Sequence, residues 1–313
     1  MSTVRPAQRG LLFLGCLLAF VRWEPAPYDL FLIIIFLLYA RGLTWKSYQL
    51  VFVVLLGPLL FTHVPALGAA LEVAPERTLY YSLVTLYLAL SSVFFMSLPE
   101  RSVPLLLLGY EVGALLSGLL GVLAFLRIPG LEDLLWGGSR AVAFFKDPNV
   151  FGAFLIPALF LALARLEQGR KFWILPALIL FLGVLVSLSR GAWANFAVAL
   201  LAWWLLRPRK RIWLPLVLLT LAGGVGISVV VMPDNPIVQR LGFMPYDKER
   251  FFTQMEALSL ALTQPLGYGP GLSEIHLSYA THNTYVRFLA EVGWLGLFFW
   301  LLILGTSLIW SLY

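Results

Sequence analysis

The sequence predicts an all-α polytopic membrane protein, and two observations carry that prediction. Hydrophobic residues make up 60% of the chain and charged residues only 12%, whereas soluble domains carry roughly 25% charged residues. Apolar runs of about 20 residues recur along the chain, and each is long enough to cross a hydrocarbon core of about 30 Å as a helix. A membrane β-barrel would instead show alternating segments of about 10 residues.

The apolar runs predict about ten transmembrane helices. Their approximate ranges are 10–26, 27–45, 47–62, 79–98, 103–126, 149–166, 172–189, 191–206, 212–232 and 286–313. The boundary between the seventh and eighth spans follows from length, because an unbroken helix over 172–206 would measure about 52 Å at 1.5 Å per residue. We therefore expect the chain to turn at Ser189-Arg190-Gly191, where Gly191 permits the turn.

The distribution of Lys and Arg predicts the orientation. With the N-terminus in the cytoplasm, the inner segments carry roughly twice as many basic residues as the short outer loops, which is the positive-inside bias. Both termini are then cytoplasmic, and a long polar loop at 233–284 faces outward from a single membrane domain over 1–313. The net charge of +6 could suggest nucleic acid, but the basic residues are scattered among the spans and indicate topology instead.

The 233–284 loop is predicted to contain an amphipathic helix. Asp247 can cap a helix that runs to about Thr263. One apolar stripe follows positions i, i+4, i+7 and i+11, namely Phe251, Met255, Leu258 and Leu262. We expect this helix to lie on the outer leaflet or against the transmembrane bundle.

Pro265 ends the loop helix and introduces a glycine-rich turn. Gly267, Gly269 and Gly271 are predicted to make a tight turn whose backbone is exposed. These glycines form neither a Walker nor a Rossmann motif, so they do not indicate a nucleotide. The single cysteine, Cys16, excludes an internal disulfide, and the three histidines have no recognisable metal spacing, so neither a metal nor a cofactor is expected.

Several polar residues that could meet an anion are predicted to face outward. Arg190 lies in a short outer turn, and Arg250 opens the loop helix. His282 and Asn283 precede the last span, while Arg140 precedes Asn149 at the start of the sixth. The planar fork of arginine binds phosphate oxygens in a bidentate way. Histidine suits proton abstraction because its pKa lies near operating pH.

Structural alternatives exist for each of these residues. Arg190 could reach only phospholipid headgroups, and Arg250 could be a solvated charge. His282 could be a polar residue at a helix start, while Asp147-Pro148 could simply cap the sixth span. Glu111 lies inside a span, where an acid is either functional or a buried group that ties helices together.

Taken in order along the chain, these motifs resemble the O-antigen ligase/polymerase superfamily. The resemblance covers about 140–300 and rests on these segments: Asp147-Pro148-Asn149, Ser189-Arg190-Gly191-Ala192-Trp193, Pro265-Leu266-Gly267-Tyr268-Gly269-Pro270-Gly271, His282-Asn283-Thr284-Tyr285 and Glu291-Val292-Gly293-Trp294-Leu295-Gly296. Members of this family are bacterial inner-membrane enzymes that act on glycans carried by undecaprenyl diphosphate. Their chains usually continue through another span beyond the position of Tyr313.

The resemblance implies a metal-independent, inverting glycosyltransferase with its site facing the periplasm. By match, Arg190 and Arg250 would contact the donor diphosphate, and His282 would act near the acceptor hydroxyl. The substrate-binding residues implied are Arg140, Asn149, Gly269, Gly271 and Asn283. The acceptor could be lipid A–core, a growing glycan, another polymer or a protein.

Two other classes of function remain compatible with the sequence. A transporter or flippase for lipid-linked saccharides would fit ten spans and Glu111, although such proteins place their sites near the bilayer midplane and are often built from repeats. A non-catalytic scaffold of a polysaccharide assembly complex would leave the outer arginines and His282 dispensable.

Overall fold

The computed structural model describes residues 6–39, 43, 47–206, 240, 242, 245–277 and 283–312. These residues divide into two compact units. The first draws its residues from within Met1–Arg41 and Glu100–Phe243, and the second from within Gly42–Pro99 and Met244–Tyr313. The prediction of one domain over 1–313 therefore stays a prediction.

Nearly all regular structure in the described ranges is helical. The elements in chain order are α1 Pro6–Leu17, α2 Pro27–Tyr39, α3 Ser47–Phe61, α4 Leu67–Val73, α5 Pro75–Met96, α6 Val103–Phe125, β1 Leu135–Trp136, β2 Arg140–Ala141, α7 Pro148–Glu167, α8 Ile174–Val186, α9 Arg190–Leu206, α10 Pro245–Thr263, α11 Ser273–His276 and α12 Thr284–Leu312. Short 3-10 helices precede α6, β1 and α8.

Four helices in the described part of the chain are long and apolar enough to cross a membrane. They are Pro75–Met96, Glu100–Phe125, Pro148–Glu167 and Thr284–Trp310. Shorter apolar helices lie at Pro27–Tyr39, Gln49–Phe61 and Lys171–Val186. Nine of the ten predicted spans overlap helices, and the span at 212–232 falls outside the described residues. The apolar helices indicate a multi-pass membrane protein, while the number ten and the outward face of the 233–284 loop stay predictions.

In the first unit, α1 and α6 approach each other closely through glycines. A Cβ atom built on Gly109 would lie 1.9 Å from the Leu12 carbonyl oxygen, and one on Gly113 would lie 2.5 Å from the Cys16 carbonyl oxygen. Gly15 makes the reciprocal approach, 2.2 Å from the Leu106 carbonyl oxygen. Small residues four apart let helix backbones come into contact inside a membrane, where packing rather than water exclusion drives association.

An ion pair joins α6 to α7 within the first unit. The buried carboxylate of Glu111 lies 2.6 Å from Nη1 of Arg165, although the contact does not have hydrogen-bond geometry. The Arg165 guanidinium also lies 4.1 Å from the ring centroid of Trp173. Of the two sequence-based alternatives for Glu111, this pairing favours the role of tying helices together, because a buried acid needs a compensating charge.

In the second unit, α10 packs on α12 through its small residues. Ala257 and Ala261 are fully buried, and the indole N–H of Trp294 donates to the Ala261 carbonyl at 3.1 Å. The predicted apolar stripe lies on the other side of α10 and is exposed: Phe251, Met255, Leu258 and Leu262. Within the described ranges the stripe is not covered by another helix, and its position on the outer leaflet stays a prediction.

The predicted start of the loop helix was wrong by three residues, because a cap at Asp247 places the first helical residue at 248. The helix begins at Pro245, and Asp247 lies inside its first turn rather than at the cap. Proline is favoured at the first position of a helix because its missing N–H has no intrahelical partner there. An acid in the first turn still interacts favourably with the helix dipole.

Replacing Gly109 with alanine should separate α1 from α6. We expect Gly109→Ala to lower the free energy of unfolding by about 1–3 kcal/mol, because the new methyl group meets a backbone carbonyl that cannot turn away. Thermal denaturation in detergent measures this loss. Gly118→Ala on the same helix is the control, since its Cβ would have an ordinary contact of 3.7 Å. Equal stability of the two variants would contradict the close approach.

Candidate functional site

The chain turns between α8 and α9, as the sequence predicted, but the turn uses a different residue. Leu188 adopts a left-handed conformation with φ of 49°, whereas Gly191 lies inside α9. The Ser189 hydroxyl oxygen accepts from the Ala192 N–H at 3.2 Å and caps the first turn of α9. The Ser187 hydroxyl accepts from the Ser189 N–H at 3.3 Å. Local hydroxyl bonds thus fix the turn that carries Arg190.

A short hairpin brings Arg140 to this turn. Strands β1 and β2 pair antiparallel, with Trp136 opposite Arg140. The Arg140 Nε donates to the Ser187 carbonyl at 3.1 Å, and its Nη2 donates to the side-chain oxygen of Asn149 at 3.0 Å. One guanidinium group therefore connects the hairpin, the start of α7 and the α8–α9 turn. The structure brings together two of the predicted substrate-binding residues.

Arg190 begins α9 in the same unit and is half-buried. Its Nη1 donates to the Gly242 carbonyl at 3.2 Å. Arg190 lies three residues after Ser187, the residue whose carbonyl binds Arg140. The first unit thus brings two of the predicted site arginines, Arg140 and Arg190, to one turn.

The start of α7 confirms the structural account of Asp147-Pro148. The Asp147 carboxylate accepts from the Asn149 N–H at 2.5 Å, and Pro148 occupies the first helical position. The cap leaves the Asn149 side chain exposed at the helix start, where its oxygen accepts from Arg140. The cap that Asp147 forms at the start of α7 therefore also positions Asn149.

The other predicted site residues lie in the second unit or outside the described ranges. Arg250 is half-buried in the second turn of α10. Residues 278–282, including His282, lie outside the described part of the chain. The convergence of Arg190, Arg250 and His282 therefore stays a prediction.

Asn283 caps the last helix. Its side-chain oxygen accepts from the Tyr285 N–H at 3.0 Å and from the Val286 N–H at 3.4 Å. This is the usual way in which an asparagine satisfies the first N–H groups of a helix. The cap fixes the residue that immediately follows His282 to the start of α12.

The two glycine-containing motifs of the second unit form one interlocked structure. Helix α12 breaks at Gly293, which has φ of 70° and ψ of −167°. The Trp294 N–H donates to the Pro265 carbonyl at 3.1 Å. In return, the Ala290 and Glu291 carbonyls accept from the N–H groups of Tyr268 and Gly269, both at 2.9 Å. The broken helix and the glycine turn thus satisfy each other's backbone groups.

Close backbone approach explains the glycines on both sides of this interlock. A Cβ atom on Gly293 would lie 2.0 Å from the Pro265 carbonyl oxygen, and one on Gly267 would lie 2.5 Å from the Glu291 carbonyl. Both residues also have positive φ, a conformation that only glycine adopts without strain.

The expectation of an exposed glycine turn was wrong. Gly267, Gly269 and Gly271 are all buried. A Cβ atom on Gly269 would meet Ala70, and one on Gly271 would meet the ring of Tyr81. The glycines are needed because the turn packs tightly on α4, α5 and α12. The predicted contact of Gly269 and Gly271 with substrate stays a prediction, although their burial gives both residues a structural role.

The sequence analysis did not predict a cluster of charged residues that includes Arg287 and Glu291 and lies next to the glycine turn. The buried Glu291 accepts at Oε1 from the Ser273 hydroxyl at 2.6 Å and from Nε of Arg287 at 2.9 Å. Arg287 precedes Glu291 by four residues on α12, a spacing that predicts a helical ion pair. Ser273 comes from a distant segment, so no local pattern could have indicated its contact.

A second histidine of this unit is half-buried. His63 follows α3, and its Nδ1 lies 3.0 Å from the Leu59 carbonyl oxygen. Burial lowers the pKa of His63 below its usual value, and the bond to Leu59 and the Glu291 carboxylate only partly offset this effect. With the proton on Nδ1 facing the carbonyl, Nε2 is the acceptor. His276 is exposed, and its ring lies 4.1 Å from that of Tyr268.

Within the described ranges, no group of three or more His, Cys, Asp or Glu side chains is placed to hold a metal ion.

The fold is that of a multi-pass helical membrane protein. Arginines lie at the α8–α9 turn of the first unit and near the glycine turn of the second. Residues 175–301 of this protein match the family model of O-antigen ligase. The match places this segment in the O-antigen ligase/polymerase superfamily and confirms the resemblance seen in the sequence. No curated protein and no solved structure matched the chain.

Substituting Gly293 should break the interlock between the glycine turn and α12. We expect Gly293→Ala to lower the free energy of unfolding by about 3 kcal/mol or more, since alanine adds both backbone strain and a clash with Pro265. Thermal denaturation of the purified protein measures the loss. Gly305→Ala is the matched control on α12, because nothing lies within 4 Å of its added methyl group. A Gly293→Ala protein as stable as the control would disprove the interlock's importance.

Proposed function

We propose that this chain transfers or polymerises a glycan from an undecaprenyl-diphosphate-linked donor onto a sugar hydroxyl of an acceptor. The observation that carries the proposal is the match of residues 175–301 to O-antigen ligase. That match supports an O-antigen ligase/polymerase type of function in general. The donor, the acceptor and the roles of individual residues are parts of the proposal.

The contacts around Arg140 and Arg190 support a site for the donor diphosphate. Arg140 is fixed by Ser187 and Asn149, and Arg190 begins a helix at the same turn. Fixed guanidinium groups bind phosphate oxygens without first having to be ordered. Helix α9 adds the positive end of its dipole at Arg190, which also favours a negative group there.

The proposed reaction is a single displacement at the anomeric carbon. The acceptor hydroxyl oxygen forms a bond to that carbon while the bond to the diphosphate oxygen breaks, so the configuration is inverted. The electron pair of the broken bond stays on undecaprenyl diphosphate. Arg190 and Arg250 would stabilise the charge that develops on this leaving group, with each contact contributing about 2–4 kcal/mol in a partly desolvated site.

A separate base has to accept the proton of the acceptor hydroxyl, because arginine stays protonated at ordinary pH. His282 is the proposed base, and general-base catalysis of this kind contributes roughly 10²–10⁴ in rate. Asn283 holds the adjacent position at the start of α12 through its cap. The proposed site faces the periplasm of a bacterial inner membrane, with both chain termini in the cytoplasm. The distribution of Lys and Arg supports this orientation.

Proteoliposomes loaded with a defined lipid-linked oligosaccharide test the proposed function. The protein is reconstituted with candidate acceptors, and mass analysis of the products detects a new glycosidic linkage. A new linkage supports the transferase. Movement of the donor across the bilayer without a linkage would indicate a transporter, and neither outcome would indicate a scaffold.

His282→Ala should abolish transfer while the protein still binds the lipid-linked donor, because the base acts on the acceptor and not on the diphosphate. Product formation and donor binding are measured on the same reconstituted protein. His276→Ala and His63→Ala are the controls, and we expect both to retain transfer. Near-normal transfer by correctly inserted His282→Ala would remove His282 as the base.

Arg190→Lys should reduce transfer about 10-fold or more, since a point charge cannot replace a planar fork that binds two oxygens. The kcat/KM for the lipid-linked donor measures the effect. Arg170→Lys is the matched control, because Arg170 is exposed between α7 and α8. If Arg190→Lys behaved as Arg170→Lys does, that result would favour contact of Arg190 with phospholipid headgroups over binding of the donor diphosphate.

A further inference from the structure

The second unit contains another pair of arginines, gathered around one aromatic ring. Arg77 and Tyr81 lie on α5, and Arg287 lies on α12. The guanidinium carbon of Arg77 is 5.2 Å from the ring centroid of Tyr81, and that of Arg287 is 4.4 Å from it. An aromatic face attracts cations and orients them, so the ring holds both guanidinium groups in one place.

Each arginine uses only some of its N–H groups in contacts with the described residues. Arg77 donates through Nε to the Gly271 carbonyl at 2.6 Å and pairs through Nη2 with Glu274. Arg287 donates through Nε to Glu291. A guanidinium group has five N–H donors. Nη1 of Arg77 and both terminal nitrogens of Arg287 have no hydrogen-bond partner among the described residues, and the two side chains are 33% and 36% exposed.

The two acids of the cluster differ in how easily they could be displaced. Glu291 is buried and also accepts from Ser273, so a ligand would displace it from Arg287 less easily than an exposed acid. The Glu274 side chain is 41% exposed. An exposed ion pair contributes little, typically about 0.2–1 kcal/mol. A phosphate group that binds two guanidinium groups at once would therefore compete successfully with Glu274 for Arg77.

We propose that Arg77 and Arg287 form a binding site for a phosphate group beside the turn at Gly267–Gly271, with Glu274 as its internal competitor. The phosphate belongs either to a substrate or to a lipid headgroup, and the chemistry of recognition is the same for both. If it belongs to a substrate, the site rests on the proposed function.

Binding of inorganic pyrophosphate to the full chain in phosphatidylcholine nanodiscs tests this site. All proteins carry Arg190→Gln and Arg250→Gln, so that the proposed donor site does not contribute. The midpoint of thermal denaturation, measured against pyrophosphate concentration, gives the Kd. We expect Arg287→Gln to weaken binding, while Arg170→Gln, at an exposed position, leaves it unchanged.

Glu274→Gln separates a binding role from a structural one. If Glu274 competes with the anion, its neutralisation should tighten pyrophosphate binding, by up to about five-fold for an exposed pair. If the cluster only stabilises the fold, Glu274→Gln should leave the Kd unchanged or weaken binding. That result, together with unchanged binding by Arg287→Gln, would overturn the proposal.

A second set of nanodiscs distinguishes the source of the phosphate. Phosphatidylglycerol in the bilayer should compete with pyrophosphate when the natural ligand is a lipid headgroup, and the competition should disappear in Arg287→Gln. Unchanged pyrophosphate binding would assign the site to a substrate phosphate. Neither measurement requires glycosyl transfer, so the anion site can fail while the proposed function stands, and the reverse also holds.

Discussion

The exchange of backbone hydrogen bonds at Gly293 is the constraint on which the second unit depends. A helix that breaks inside a membrane leaves carbonyl and N–H groups without partners, and each unsatisfied group costs several kcal/mol there. The glycine turn supplies those partners through the N–H groups of Tyr268 and Gly269 and the carbonyl of Pro265. The break is therefore tolerated because a second segment completes it, and the two motifs can only persist together.

The first unit solves a related problem with side chains. Its turn at Ser187–Arg190 contains a strained Leu188, and two serine hydroxyls and the Arg140 guanidinium stabilise the backbone around it. Arg140 thus has two tasks, since it holds the turn and also contributes charge beside Arg190. Substituting Arg140 would change both at once, which makes Arg190 the more informative position for testing the proposed donor site.

The sequence predicted those features that depend on local pattern. Apolar run length located the helices, and Asp147-Pro148 correctly indicated the start of α7. The loop helix was also predicted, although a cap at Asp247 suggested a start three residues too late. Contacts between distant segments were not predictable in this way. Arg77 and Gly271 are 194 residues apart, and the two-residue strands that position Arg140 are too short to show a period. The left-handed conformation of Leu188 was not predicted, because glycine adopts positive φ without strain and Gly191 was therefore expected to form the turn.

The uncovered apolar face of α10 has a consequence for the arginine on that helix. Phe251, Met255 and Leu262 are exposed, whereas Ala257 on the same helix is fully buried. An exposed patch of large apolar side chains is typical of a surface that contacts a membrane or a partner. A helix that floats at the level of the headgroups would hold Arg250 at a depth set by the bilayer and not only by the protein. Lipid thickness and the curvature of a detergent micelle would then change the position of Arg250 relative to the rest of the chain.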